Sequence, residues 1–267
     1  MTTQTALATG VSILAVATAM LTSAATARAA ISSNWSGYAA TGTAFSAVTG
    51  TWVQPTADCT SATSPTTASA FWVGLGGDTG SSALEQIGSE ADCTGGAVSY
   101  SAWYELVPKA AVKIALKVSA GDKLAATVRV NGTKVTLTIS NQSTGTRFTR
   151  TLTMASPDIS SAEWIAEAPS VLTPGGTQVL PLTDFGTIRF SSATATSASG
   201  RTGTISDQAW SAARILLESQ SGGPGPYGRF ASESIGVVQA VPTGLSNGGG
   251  AFAVTWKQTG SAPPPNV

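Results

Sequence analysis

Ser161-Ala162-Glu163-Trp164-Ile165-Ala166-Glu167 reads as a β-strand, because its side chains alternate. Glu163, Ile165 and Glu167 fall on one face of an extended chain, and Ala162, Trp164 and Ala166 on the other. Charged residues make up only 10% of the sequence. Two carboxylates on one strand face therefore need a reason. One reading is a solvated rim; the other is chemistry.

The surrounding sequence has the same strand character. In 267 residues, Thr, Ser, Gly and Val recur throughout, and turn-forming Gly and Pro arrive at short intervals. That pattern belongs to an all-β sandwich or barrel, a class whose single domains commonly reach about 200–250 residues. Strands are expected at Phe45 to Val53, Ala70 to Leu75, Ala83 to Gly88, Val98 to Val107 and Val112 to Val118. Leu124 to Val130 and Lys134 to Ile139 follow, joined through Asn131-Gly132, a strong hairpin signal. Arg147 to Met154, Asp184 to Phe190, Ala209 to Glu218, Ile235 to Ala240 and Ala251 to Lys257 complete the set. Thr56 to Ser69, Ser89 to Gly96, Pro169 to Gly176 and Ser219 to Arg229 read as loops. About a dozen strands without a convincing helix suggest two antiparallel sheets packed face to face.

Residues 1–29 stand apart. Val11 to Ala19 is an apolar core, and Ala27-Arg28-Ala29 offers a small-x-small cleavage pattern. Together they read as a secretory signal, with no Lys or Arg in the n-region. The apolar stretch is too short to span a bilayer. The expected organisation is a signal peptide over 1–29, one domain over 30–260 and a frayed tail over 261–267. The product is expected to be exported, extracellular and monomeric, without a membrane partner. The sequence carries 14 basic and 14 acidic residues, and losing Arg28 leaves one net negative charge. Nucleic-acid binding needs clustered Lys and Arg, which are missing. Cys59 and Cys93 are the two cysteines. In an oxidising compartment they are expected to pair and close a loop of about 35 residues, stabilising by about 3–4 kcal/mol.

There is no histidine. Its absence excludes Ser-His-Asp and Cys-His nucleophile systems and HExxH zinc proteases. Two cysteines without histidine also disfavour a zinc site, so neither metal nor cofactor is expected. In an exported hydrolase, acid–base work then falls to Asp or Glu.

Five blocks carry a resemblance. Ser33-Asn34-Trp35-Ser36-Gly37, Phe71-Trp72-Val73-Gly74-Leu75-Gly76-Gly77-Asp78, Leu84-Glu85-Gln86-Ile87-Gly88, Tyr100-Ser101-Ala102-Trp103-Tyr104-Glu105 and Ala162 to Glu167 resemble the glutamic peptidases, or eqolisins, in order and spacing. The likeness spans roughly Ser33 to Ser191; the segment Gly222 to Arg229 has no counterpart. The resemblance implies a concanavalin-like β-sandwich of two antiparallel, about seven-stranded sheets, with polypeptide substrates in a cleft. It implies a catalytic Gln/Glu dyad, here Gln86 and Glu167. Glu163 is then a same-face neighbour. Trp72, Asp78, Tyr104 and Glu105 are placed by it at the substrate, Trp72 also orienting the dyad. In the implied mechanism Glu167 is the general base for a water, and Gln86 holds that water and stabilises the oxyanion. No covalent intermediate forms, and an acid or mildly acidic medium is expected. Where family members often have Asp, this chain has Gly76 and Ser101, which points to a less extreme acid optimum. Family-like sequence begins close to the cleavage site, leaving no room for a long inhibitory segment.

Two alternatives stay open at this point. A carbohydrate-binding or glycoside-hydrolysing sandwich would use a carboxylate pair about 5–10 Å apart. Glu163 and Glu167 lie about 13 Å apart on an extended strand, so Glu105 would have to supply a partner. An inactive peptidase-like binding module is the other. Asn34-Trp35-Ser36, Asn131-Gly132-Thr133 and Asn141-Gln142-Ser143 match the N-glycosylation pattern.

Overall fold

The computed structural model describes residues 29–60, 64–78, 82–219 and 236–257. The expected signal segment, the Gly222 to Arg229 insert and the tail lie outside them. The strands in order are β1 (Ala30–Ser32), β2 (Trp35–Thr41), β3 (Phe45–Val53), β4 (Thr66–Gly76), β5 (Leu84–Thr94) and β6 (Ala97–Val107). Next come β7 (Val112–Ile114), β8 (Lys123–Asn131), β9 (Lys134–Asn141), β10 (Thr146–Thr153), β11 (Ser161–Glu167) and β12 (Ser170–Thr173). The last six are β13 (Gly176–Val179), β14 (Thr187–Ser197), β15 (Thr202–Thr204), β16 (Ser211–Ser219), β17 (Val237–Pro242) and β18 (Phe252–Trp256). One 3-10 turn, Asn247–Gly249, is the helical element among the described residues.

Pairing follows the path β10-β9-β8-β3-β14-β18-β17-β16-β2-β11-β4-β5-β6-β7. This path doubles back on itself, with β3 and β8 packed over β4 and β9 over β5. The expected pair of seven-stranded sheets is therefore present. Hydrogen bonding nevertheless continues from one to the other through β16 and β17, with a register shift at Leu217 and Glu218. The interior is one apolar cluster drawing on both sheets, including Trp52, Phe71, Leu137, Trp164 and Phe190. Trp164 is fully buried, and its indole N–H donates across the sandwich to Thr49 O at 2.8 Å. Burying a side chain of that size contributes about 2–3 kcal/mol. Buried polar groups are paired across the sheets too: Trp52 Nε1 donates to Ser89 Oγ, which donates to Gln54 Oε1.

Several expectations shift in detail. Ser89 to Gly96 is mostly strand, because β5 continues to Thr94 in full register with β4 and β6. Cys93 sits on it, bonded to Cys59. Pro169 to Gly176 contains half of the β12–β13 hairpin. Ala209 to Glu218 is strand, as β16. The β8–β9 loop is Gly132-Thr133 rather than Asn131-Gly132, because Asn131 pairs with Lys134; Gly132 supplies the positive φ, at 57°. Val112 to Val118 pairs only to Ile114. Leu116 and Val118 are still buried, but on a segment that leaves the sheet edge and crosses toward β8. The alternation there reports burial rather than pairing.

Candidate active site

The outward face of β2, β11, β4, β5 and β6 carries the chemistry. Register places its side chains in rows. Trp35, Glu167, Ala70, Glu90 and Ser101 form one row. Gly37, Ile165, Trp72, Gly88 and Trp103 form the next, and Ala39, Glu163, Gly74, Gln86 and Glu105 the third. Glu167 and Gln86 therefore lie two strands and two rows apart on the same face, with Trp72 on the strand between them. An apolar floor of Trp35, Trp72, Trp103, Leu84, Ile165 and Ile215 covers this face. That floor explains why β11 is buried on both faces up to Glu167, which rules out a solvated rim.

Glu167 is held at both oxygens. Trp72 Nε1 donates to Oε2 at 2.7 Å, and Asn34 Nδ2 donates to Oε1 at 3.0 Å. Asn34 is itself fixed by the turn after β1, where Ser32 Oγ donates to Asn34 Oδ1 and accepts from the N–H groups of Asn34 and Trp35. Trp35 packs edge-on against Trp72, with ring centroids 5.1 Å apart. Room for the Trp72 ring comes from Gly74, where a Cβ would lie 2.9 Å from Trp72 Cζ3. Burial pushes the Glu167 carboxyl up to about 8, against the Trp72 and Asn34 donors; the nearby Glu105 charge adds to the rise.

Gln86 is buried, with Nε2 donating to Glu105 Oε2 at 2.7 Å and Oε1 accepting from no protein group. Glu105 is half-buried, and burial raises its carboxyl too. Gln86, Glu105, Glu167, Glu90, Asn34 and Trp103 line one cleft of about 420 Å³, a size suited to a ligand. Lys109 is the basic residue among the described ones that line it. The β12–β13 hairpin forms one wall through Val171 and Leu172, the latter 87% exposed.

The other expected residues are placed differently. Trp72 is fully buried beneath the cleft and touches Glu167 rather than open space. Tyr104 alternates away from Glu105, faces the sandwich interior and stacks on Phe148 at 5.9 Å. It lines a separate 180 Å³ hollow with Leu106 and Leu152. Asp78 is not among the residues lining the cleft. It belongs to a group of acids behind the site: burial holds the Glu163 carboxyl well above its ordinary value, and the charges of Asp78, Asp158 and Glu85 add to the rise. Both Glu163 oxygens lack a hydrogen-bond partner. Glu85 Oε1 accepts from Asp158 N at 3.1 Å, and burial pushes Glu85 up to about 8. Gly76 has φ of 89°, and a Cβ there would lie 2.5 Å from Asp158 Cβ. The Asp158 side chain thus occupies the space that a side chain at position 76 would take.

Asn34 is the participant that sequence reading missed. It was legible only as part of a block and as a glycosylation acceptor. Its side chain is buried against Glu167, and Asn141 is fully buried as well. Among the three acceptor asparagines, Asn131 alone is exposed. Among the described residues no group of acids, cysteines or histidines is arranged to hold a metal ion.

Comparison with known proteins bears on the family and the fold. Aspergillopepsin-2 of Aspergillus niger is 30% identical over 193 residues, covering 64% of this chain and 67% of that protein. The crystal structure of aspergilloglutamic peptidase from Aspergillus niger matches with a TM-score of 0.55 at 28% identity, over 72% of this chain and 99% of that one. Scytalido-glutamic peptidase with a transition state analog inhibitor shares the fold, with a TM-score of 0.67 at 22% identity, over 84% of this chain and 98% of that one. The model of the Peptidase A4 family matches residues 33–222, which take in every block of the cleft. A sandwich with a carboxylate held in a tryptophan-floored cleft, matched by that model over most of its length, places this chain in the Peptidase A4 family, the glutamic peptidases.

Proposed function

We propose that this peptidase is an exported, monomeric endopeptidase in which Gln86 and Glu167 act as a dyad on a water, without a covalent intermediate. The observation that carries the reading is the state of the two side chains in one cleft. Glu167 is clamped by Trp72 and Asn34, while Gln86 Oε1 accepts no protein hydrogen bond. A carboxylate fixed at both oxygens keeps further lone pairs for a water, and an amide oxygen without a partner is a second acceptor for the same water.

The chemistry follows from those roles. Glu167 takes a proton from the water as its oxygen attacks the peptide carbonyl carbon. Negative charge develops on the carbonyl oxygen and is met by the Gln86 N–H that Glu105 does not use. A donor of this kind contributes about 10²–10³ in rate. The C–N bond then breaks, and the proton on Glu167 passes to the leaving nitrogen. Polypeptide substrates suit the open cleft, and the Cys59–Cys93 disulfide suits an oxidising destination.

The base must be ionised to work. Because burial raises Glu167 to about 8, the rising limb of the rate against pH lies above the range of an ordinary glutamate. This supports a working range less acid than an exposed carboxylate would give. The test is cleavage of a quenched peptide from about pH 3 to about pH 9, with Glu167→Gln and Gln86→Ala beside the wild type. Loss of about 10³ in kcat for Glu167→Gln and about 10² for Gln86→Ala is expected. Cleavage that survives Glu167→Gln would overturn the assignment.

A further inference from the structure

Gln86 and Glu105 face each other directly on β5 and β6. Opposed residues of this kind hold their Cβ atoms about 4.5–5.5 Å apart, so the 2.7 Å contact between Nε2 and Oε2 is set by strand register. An ionised carboxylate offers only acceptors, whereas an amide has a donor end and an acceptor end. Glu105 therefore admits the NH₂ end of Gln86 and repels the oxygen end. A hydrogen bond to a charged group biases the two amide orientations by about 10- to 100-fold.

That bias has a chemical consequence. With one N–H committed to Glu105, the other N–H and Oε1 stay available, and Oε1 is the buried atom that no protein group satisfies. Turned over, the amide would present its oxygen to Glu105 and lose the arrangement that hydrolysis needs. We propose that Glu105 is a positioning residue for peptide hydrolysis: it fixes which end of the Gln86 amide meets the water and which meets the oxyanion. This rests on the dyad reading above.

Two other roles for Glu105 make opposite predictions. Its negative charge, taken alone, opposes an oxyanion, so removing the charge would speed the reaction. As a substrate subsite it would act on KM. The charged groups that face it are Glu90 from β5, Glu167 from β11, Lys109 from the loop after β6 and Lys113 from β7.

The experiment is a graded series at position 105: Glu (acceptors only), Glu105→Gln (mixed) and Glu105→Lys (donors only). Positioning predicts kcat in that order. Glu105→Gln should lose at least about twofold as the two orientations equalise, and Glu105→Lys about 100-fold, approaching Gln86→Ala. KM should stay within about twofold. Glu105→Gln should have no further effect in a Gln86→Ala background. Should Glu105→Lys not fold, Glu105→Gln and the double variant still decide. A second readout is NMR of the Gln86 side-chain amide, whose protons should move with the ionisation of Glu105 and stop moving in Glu105→Gln. Glu105→Lys as fast as wild type, an effect confined to KM, or additivity with Gln86→Ala overturns the positioning role while leaving the dyad intact. A wild type that cleaves no peptide overturns the dyad reading and this role with it.

Discussion

Replacing Glu85 by glutamine should abolish part of a steep loss of stability toward neutral pH. Glu85 is fully buried; its Oε1 accepts from Asp158 N, and its Oε2 has no partner. Burial, with the Asp158 charge adding to it, raises its carboxyl from 4.5 to about 8. Between those pH values the unfolded chain has released a proton that the folded protein keeps. The contribution is thus whole below about pH 4.5 and lost as the pH rises through about 8. Roughly three and a half pH units at about 1.4 kcal/mol each is on the order of 5 kcal/mol. That is a large part of the ~5–15 kcal/mol that holds a domain together. Glutamine keeps the acceptor for Asp158 N and has no charge to bury. Urea unfolding at about pH 4 and about pH 8 checks this. The variant should match the wild type in acid and exceed it by several kcal/mol near neutrality. Some slope should remain from Glu163, and from Asp78 and Asp92, which burial raises to about 6. A variant whose stability curve runs parallel to the wild type, or a wild type more stable at pH 8 than at pH 4, would refute the reasoning.

Two further outcomes are expected. Trp72→Phe and Asn34→Ala each remove a donor that favours ionised Glu167; each should move the rising limb of kcat/KM up by about one pH unit, read from the pH–rate profile. Replacing both Cys59 and Cys93 by serine should cost about 3–4 kcal/mol in urea unfolding while leaving kcat near wild type.

Activity and stability are set against each other in this chain. As the proposed base Glu167 must ionise, and its ionisation is favoured by the same rise in pH that forces charge into Glu85 and Glu163. The working window lies between those two demands.

Much of this was legible in the sequence, and the remainder shows what periodicity can carry. Alternation in Ser161 to Glu167 gave a strand and put Glu163 and Glu167 on one face, which the register confirms. It did not reveal that the face is dry, since that depends on Trp35, Trp72 and Trp103 arriving from three other strands. The resemblance places both Tyr104 and Glu105 at the substrate, yet the period of a strand sends neighbours to opposite faces. Asn34 was hidden because its partner is 133 residues away. Asp158, filling the space beside Gly76, lies in a loop that has no pattern to read.

The clamp on Glu167 has a bearing on how the protein is produced. Asn34-Trp35-Ser36 is a glycosylation acceptor, and the atom that would carry the sugar is Nδ2, which donates to Glu167. An oligosaccharide attached to the nascent chain would have no space at a residue 8% exposed, and it would deprive Glu167 of a partner. A eukaryotic secretory host that modifies this asparagine would deliver a chain unable to seat Asn34 against Glu167, whereas an unmodified amide keeps that contact. Asn131, exposed at the end of β8, accepts the same modification at no cost to the cleft.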